Sequence, residues 1–83
     1  MTKAEYDKLT DKIISAAIEV HKELGPGLLE SVYEACLVEE LKRRELFVEQ
    51  QLCLPIVYKG KKLDKEFFID ILVEKEIVIE LKE

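Results

Sequence analysis

The stretch FFIDILVEKEIVIELK, residues 67–82, decides the fold. Side chains of a β-strand alternate between its two faces. Along 67–73, Phe67, Ile69, Ile71 and Val73 share one face, and Phe68, Asp70 and Leu72 the other. Along 77–82, Ile77, Ile79 and Leu81 share one face, and Val78, Glu80 and Lys82 the other. Both all-apolar faces are buried on the same side of a sheet only if Val73 and Ile77 face the same way. The simplest pairing sets them opposite each other, with Glu74–Glu76 as a three-residue loop. A two-residue loop would pair Asp70 with Ile79 and turn the apolar faces to opposite sides, at ~1.5–3 kcal/mol for each side chain lost from the core. Carried along the ladder, the three-residue loop places Asp70 opposite Glu80, with Lys82 on the same face.

Two carboxylates facing each other across a sheet repel unless a cation compensates them. Lys82 supplies part of that compensation, and a divalent metal would supply more, because hard cations favour oxygen clusters. The pattern admits two readings. One is an exposed polar face with a surface salt bridge, worth ~0–1 kcal/mol. The other is a metal-dependent hydrolytic site, in which Asp70 and Glu80 are metal ligands and Lys82 orients a water or stabilises developing negative charge. A D…ExK pattern is short and has many chance matches.

Upstream of this stretch the apolar period is 2 back to Phe47 and 3.6 before it. Val48–Leu54 and Ile56–Tyr58 predict a strand, or one bent strand, with Pro55 marking an edge or a bulge. Lys59-Gly60 is a turn, and strands are expected over 63–73 and 77–82. Toward the N-terminus, Thr2 and Glu5 form a capping box ahead of a stripe of Leu9, Ile13, Ala16/Ala17, Val20 and Leu24. That helix stops at Gly25-Pro26-Gly27. A second helix is expected over 29–45, with Leu29, Val32, Tyr33, Cys36, Leu37 and Leu41 as its apolar stripe. The fold class is therefore α+β: two N-terminal helices packed on a three- to four-stranded antiparallel sheet.

Eighty-three residues make one small domain, expected over 1–83 and only marginally stable alone. No apolar run is long enough to span a membrane, and MTKAEYDK at the N-terminus lacks a signal peptide's apolar core, so a cytoplasmic location is expected. Cys36 and Cys53, without CxxC or Cys/His spacing, read as two reduced, buried thiols. A net charge of −5 is a poor footprint for non-specific nucleic-acid binding. It does not exclude a metal-dependent nucleic-acid enzyme, whose site is itself built of carboxylates. Lys59, Lys61 and Lys62 form one local basic cluster, read as a solvated turn.

Asp70 followed by Glu80-Leu81-Lys82 resembles the D-Xn-(D/E)-x-K signature of the PD-(D/E)XK nuclease superfamily. EVHKELGPGLLESVYEACLVEEL, residues 19–41, is similar to the GxxExxY family within it, with Gly27, Glu30 and Tyr33 at the naming positions. The similarity runs from about Ile13 to Lys82. It implies helices flanking a mixed sheet, Mg²⁺ or a similar ion held by Asp70 and Glu80, and nucleic acid as partner. It also implies Asp70, Glu80, Lys82 and Glu30 as the catalytic set, Glu30 being a further acid near the metal. His21 and Tyr33 match family positions but read as helix-surface or packing and as core residues respectively, and Glu34 as a solvated helix residue. The superfamily core normally continues beyond the ExK strand into a helix and a further strand, which are expected to be missing here. A truncated restriction-endonuclease-like αβββ core is thus expected, with an uncovered edge or apolar face that recruits a second copy as a homodimer. The function implied is metal-dependent phosphodiester hydrolysis. The alternative is a non-catalytic interaction or dimerisation module derived from a nuclease fold.

Overall fold

Two helices lead into an antiparallel meander in the computed structural model, which describes residues 1–27 and 29–81. Helix α1 spans Lys3–Leu24. Its capping box forms as expected: the Thr2 hydroxyl accepts the Glu5 N–H at 3.2 Å, and the Glu5 carboxylate accepts the Thr2 N–H at 3.2 Å. The helix ends where Gly25, at φ 73°, donates its N–H to the His21 carbonyl at 2.9 Å, a left-handed backbone that glycine adopts without a Cβ clash. Leu9, Ile13, Ala16 and Val20 are buried along the expected stripe.

Helix α2 spans Glu30–Arg43, shorter at both ends than expected. Its buried residues are Leu37, Val38 and Leu41, whereas Leu29 (71% exposed) and Val32 (41% exposed) lie outside the core. Full burial is confined to the C-terminal half and widened toward Val38. Tyr33 and Cys36 pack at its margin, and the Tyr33 hydroxyl donates to the Ala17 carbonyl at 3.3 Å, tying the two helices together. Leu46, just beyond the helix, returns into the core.

The sheet has three strands in the order β1-β2-β3: β1 Val48–Tyr58, β2 Lys61–Val73 and β3 Ile77–Ile79. Both pairings are antiparallel, and no parallel pair occurs among the described residues, unlike the mixed sheet that the resemblance implies. Val73 faces Ile77, Leu72 faces Val78 and Ile71 faces Ile79, so the three-residue loop Glu74–Glu76 sets the register that hydrophobic parity demands. Ile69, Ile71 and Val73 are buried, with Ile77, Ile79 and Leu81 partly buried on the same side. At Pro55 both expected possibilities are realised in one continuous strand: β1 lies at the sheet's edge, and its register with β2 shifts between Pro55 and Val57. Strand β2 starts two residues earlier than expected and β3 ends sooner, while Lys82 lies outside the described residues.

Parity fixed the direction of each side chain but not how far the helices reach. Phe67, expected on the buried face, is 50% exposed. From Cys53 and Phe68 outward the β1–β2 hairpin leaves the helical layer and runs on as an arm, in a molecule measuring 45 × 33 × 18 Å. The arm exposes Leu54, Val57, Tyr58 and Phe68. Both cysteines are free thiols, but Cys53 lies exposed on this arm instead of buried. No helix is long and apolar enough to cross a membrane among the described residues.

Candidate functional site

Asp70 sits on the central strand, on the face opposite Ile69 and Ile71, and is half-buried. Its Oδ2 accepts the backbone N–H of Leu81 at 3.0 Å. The side chain therefore continues the β2–β3 contact two residues past the last residue of β3, and fixes the carboxylate against the chain that carries Glu80. The register Ile71 to Ile79, carried one pair outward, aligns position 70 with position 80. Glu80 is exposed, and neither acid has an ion-pair partner among the described residues.

On the other flank of Asp70 the β1 ladder is interrupted. Gln50 pairs with Ile71 and Leu52 with Ile69, which sets Gln51 level with Asp70, yet no pair forms there and Gln51 has φ 49°. A non-glycine residue in this left-handed region carries roughly 1–2 kcal/mol of strain, and such a distortion re-aims the side chain. The Gln51 amide donates to both carboxylate oxygens of Glu34, at 3.2 and 3.0 Å, and the Gln50 amide donates to Glu34 Oε2 at 3.1 Å. Glu34 is thus a half-buried anchor between α2 and β1, not the solvated helix residue expected. Nothing in its helical spacing marked it; two adjacent glutamines inside an alternating strand were the available signal.

The other expected site residues fall apart spatially or chemically. Glu30 is exposed at the first position of α2, one turn before Glu34. Among the described residues no three His, Cys, Asp or Glu side chains gather into a group that could hold a metal, so Glu30 does not join Asp70 and Glu80 in one cluster. His21 is exposed near the end of α1, as its helix-surface reading requires, and Tyr33 has the packing role described above. On the arm, Cys53 donates to Glu66, and that hydrogen bond, with the carboxylate's charge, raises the thiol above its ordinary pKa of 9.0.

Two carboxylates with oxygen to spare suit Mg²⁺, which takes one or two carboxylates and retains water for the rest of its octahedron. Among the described residues Asp70 Oδ1 has no partner, while Oδ2 accepts from Leu81. A family model described as the PD-(D/E)XK nuclease superfamily matches residues 7–83. No curated protein and no solved structure gives a significant match to the chain.

Proposed function

The chain belongs to the PD-(D/E)XK nuclease superfamily, and from that premise we propose that it hydrolyses phosphodiester bonds of nucleic acid with a divalent metal, Mg²⁺ by donor chemistry. The observation that carries the proposal is the Asp70–Leu81 hydrogen bond, which locks a central-strand carboxylate beside the chain segment bearing Glu80. In this reading Asp70 and Glu80 hold the ion. When bound, such an ion supplies Lewis acidity for the phosphate and makes a nearby water more acidic. Asp70 is oriented before substrate arrives, so no free energy is spent ordering it during reaction. Lys82, two residues beyond Glu80 in the sequence, is assigned to the negative charge that accumulates on the phosphate.

Glu30 enters the proposal through the GxxExxY family, to which we assign the chain on Gly27, Glu30 and Tyr33. Two of these positions have structural duties: Gly27 sits at φ 85°, and Tyr33 packs on the core and bonds α1. Glu30 stands in the first turn of α2, where a carboxylate also favours the helix dipole, so its assignment as a further acid rests on the motif alone. We also propose a homodimer, supported by the uncovered apolar residues of the arm.

The test is cleavage of end-labelled DNA and RNA in 10 mM Mg²⁺. Asp70→Asn and Glu80→Gln should each lower the rate at least a hundredfold, and Glu30→Gln should lower it less. Undiminished cleavage by Asp70→Asn, or none by the parent chain on either polymer, overturns the proposal.

A further inference from the structure

The basic residues of this acidic chain are unevenly placed. Between Tyr58 and Lys65, four lysines (59, 61, 62 and 65) face a single acid, Asp64, while the rest of the chain has nine Lys and Arg against seventeen Asp and Glu. That segment is the end of the β1–β2 arm, with Tyr58 paired to Lys61 and Val57 to Lys62 around the Lys59-Gly60 turn. Every residue from Val57 to Phe68 is exposed. None of the four lysines has an ion-pair partner among the described residues, whereas Arg43 at the end of α2 and Arg44 just beyond it are bound to Glu39 and Glu40 at 3.0 Å. Tyr58 is 61% exposed, with the Lys59 ammonium 5.5 Å from its ring centre.

We propose that this arm tip is a nucleic-acid-binding surface, seating backbone phosphates on its lysines at a distance from the carboxylate pair. The choice of nucleic acid as ligand rests on the nuclease reading above; the surface itself rests on the charge segregation and exposure of the arm. A bare two-stranded ribbon has the dimensions to enter a major groove about 12 Å wide. The acidic remainder of the chain repels a polyanion, so approach is steered along the arm. Lys62 and Asp70 lie eight residues apart on β2. At ~3.3 Å per residue that is about 26 Å, or about eight base pairs of duplex at ~3.4 Å each. A duplex that touches both places therefore has its tip-bound phosphates at most about eight base pairs from the bond beside Asp70, the limit for an arm lying along the duplex axis.

The experiment is fluorescence anisotropy with a labelled 20-base-pair DNA duplex in EDTA, at salt from 50 to 200 mM. It compares the parent chain, Asp70→Asn, and the combined Lys59→Gln, Lys61→Gln, Lys62→Gln and Lys65→Gln variant, whose far-UV circular dichroism should match the parent's. Every phosphate that a lysine no longer neutralises makes the slope of log K against log salt shallower by about 0.9. The lysine variant should lose up to about 3.6 in slope and at least tenfold in affinity at 100 mM salt, whereas Asp70→Asn, which removes a negative charge beside the duplex, should bind at least as tightly as the parent. A lysine variant that keeps both slope and affinity overturns the inference, as does a parent chain that binds vesicles of anionic lipid more tightly than the duplex. Cleavage separates the two claims. If the parent cuts DNA and the lysine variant binds and cuts equally well, only the tip fails; if the tip binds but nothing is ever cut, only the nuclease reading fails.

Discussion

The loop Glu74–Glu76 should tolerate changes of length by parity rather than by size. Removing Lys75 leaves a two-residue loop, inserting Gly after Lys75 gives four, and inserting Gly-Asn there gives five. Loops of two and four shift the β3 ladder by one residue, so Ile77, Ile79 and Leu81 either turn away from the core or leave the sheet. All three are partly buried. Counted at half of the ~1.5–3 kcal/mol for full burial, they are worth about 2–4.5 kcal/mol together. A domain of 83 residues has roughly 4–12 kcal/mol in total at ~0.05–0.15 per residue. The even loops should therefore lower the melting temperature by roughly 8–36 °C, at ~4–8 °C per kcal/mol. The five-residue loop keeps the register and adds only about 0.5 kcal/mol of closure entropy. Urea unfolding followed by circular dichroism, with the m-value as a check on two-state behaviour, measures the series. A four-residue loop as stable as the five-residue loop would refute the parity argument, and with it the alignment of Asp70 with Glu80.

Glu34→Ala removes the acceptor of both Gln50 and Gln51 and should cost about 1–2 kcal/mol; Gln51→Ala added to it should cost almost nothing more, and additive losses in urea unfolding would show that the pair is not coupled. The Glu66 hydrogen bond raises the Cys53 pKa, so the protonated thiol contributes stability that is present below pH 9.0 and lost as pH climbs through the raised value. Iodoacetamide should accordingly alkylate Cys53 more slowly at pH 8.5 in the parent than in Glu66→Gln, read by peptide mass, and equal rates would remove Glu66 from that account.

The parts of the fold that could be read from residues are those where one local rule decides. Thr2 with Glu5, and Gly25 after Leu24, bracket α1 because capping involves only a few neighbouring atoms. The Val73–Ile77 pairing followed because alternation allows a strand only two facings. Helix α2 was harder. Leu29 and Val32 keep helical spacing with Leu37 and Leu41, yet the spacing says nothing about where the neighbouring layer ends. Phe67 was misjudged for the same reason: alternation gives its facing but not the extent of the covering layer, and it is half exposed. At the site, parity found the level of Asp70 and Glu80, but not Glu34 or the left-handed turn at Gln51, because neither obeys a periodicity. The resemblance supplied Glu30, whose distance from Asp70 in sequence gives no geometric handle.

Strand β1 is the sheet's long outer margin, and it interrupts its own row of donors and acceptors twice. Gln51 bends it at φ 49°, and Pro55 offers no N–H just where the ladder slips. Between and before those breaks only Val48–Gln50 and Leu52–Leu54 run regularly. A foreign strand laid alongside finds three matched residues at a time, well short of the six or seven that a fibril-forming segment needs. The β1 margin is thus a poor template for a foreign strand, and copies that associate rim to rim would have to use the opposite margin of the arm, where β2 from Lys61 to Asp70 has no strand partner among the described residues.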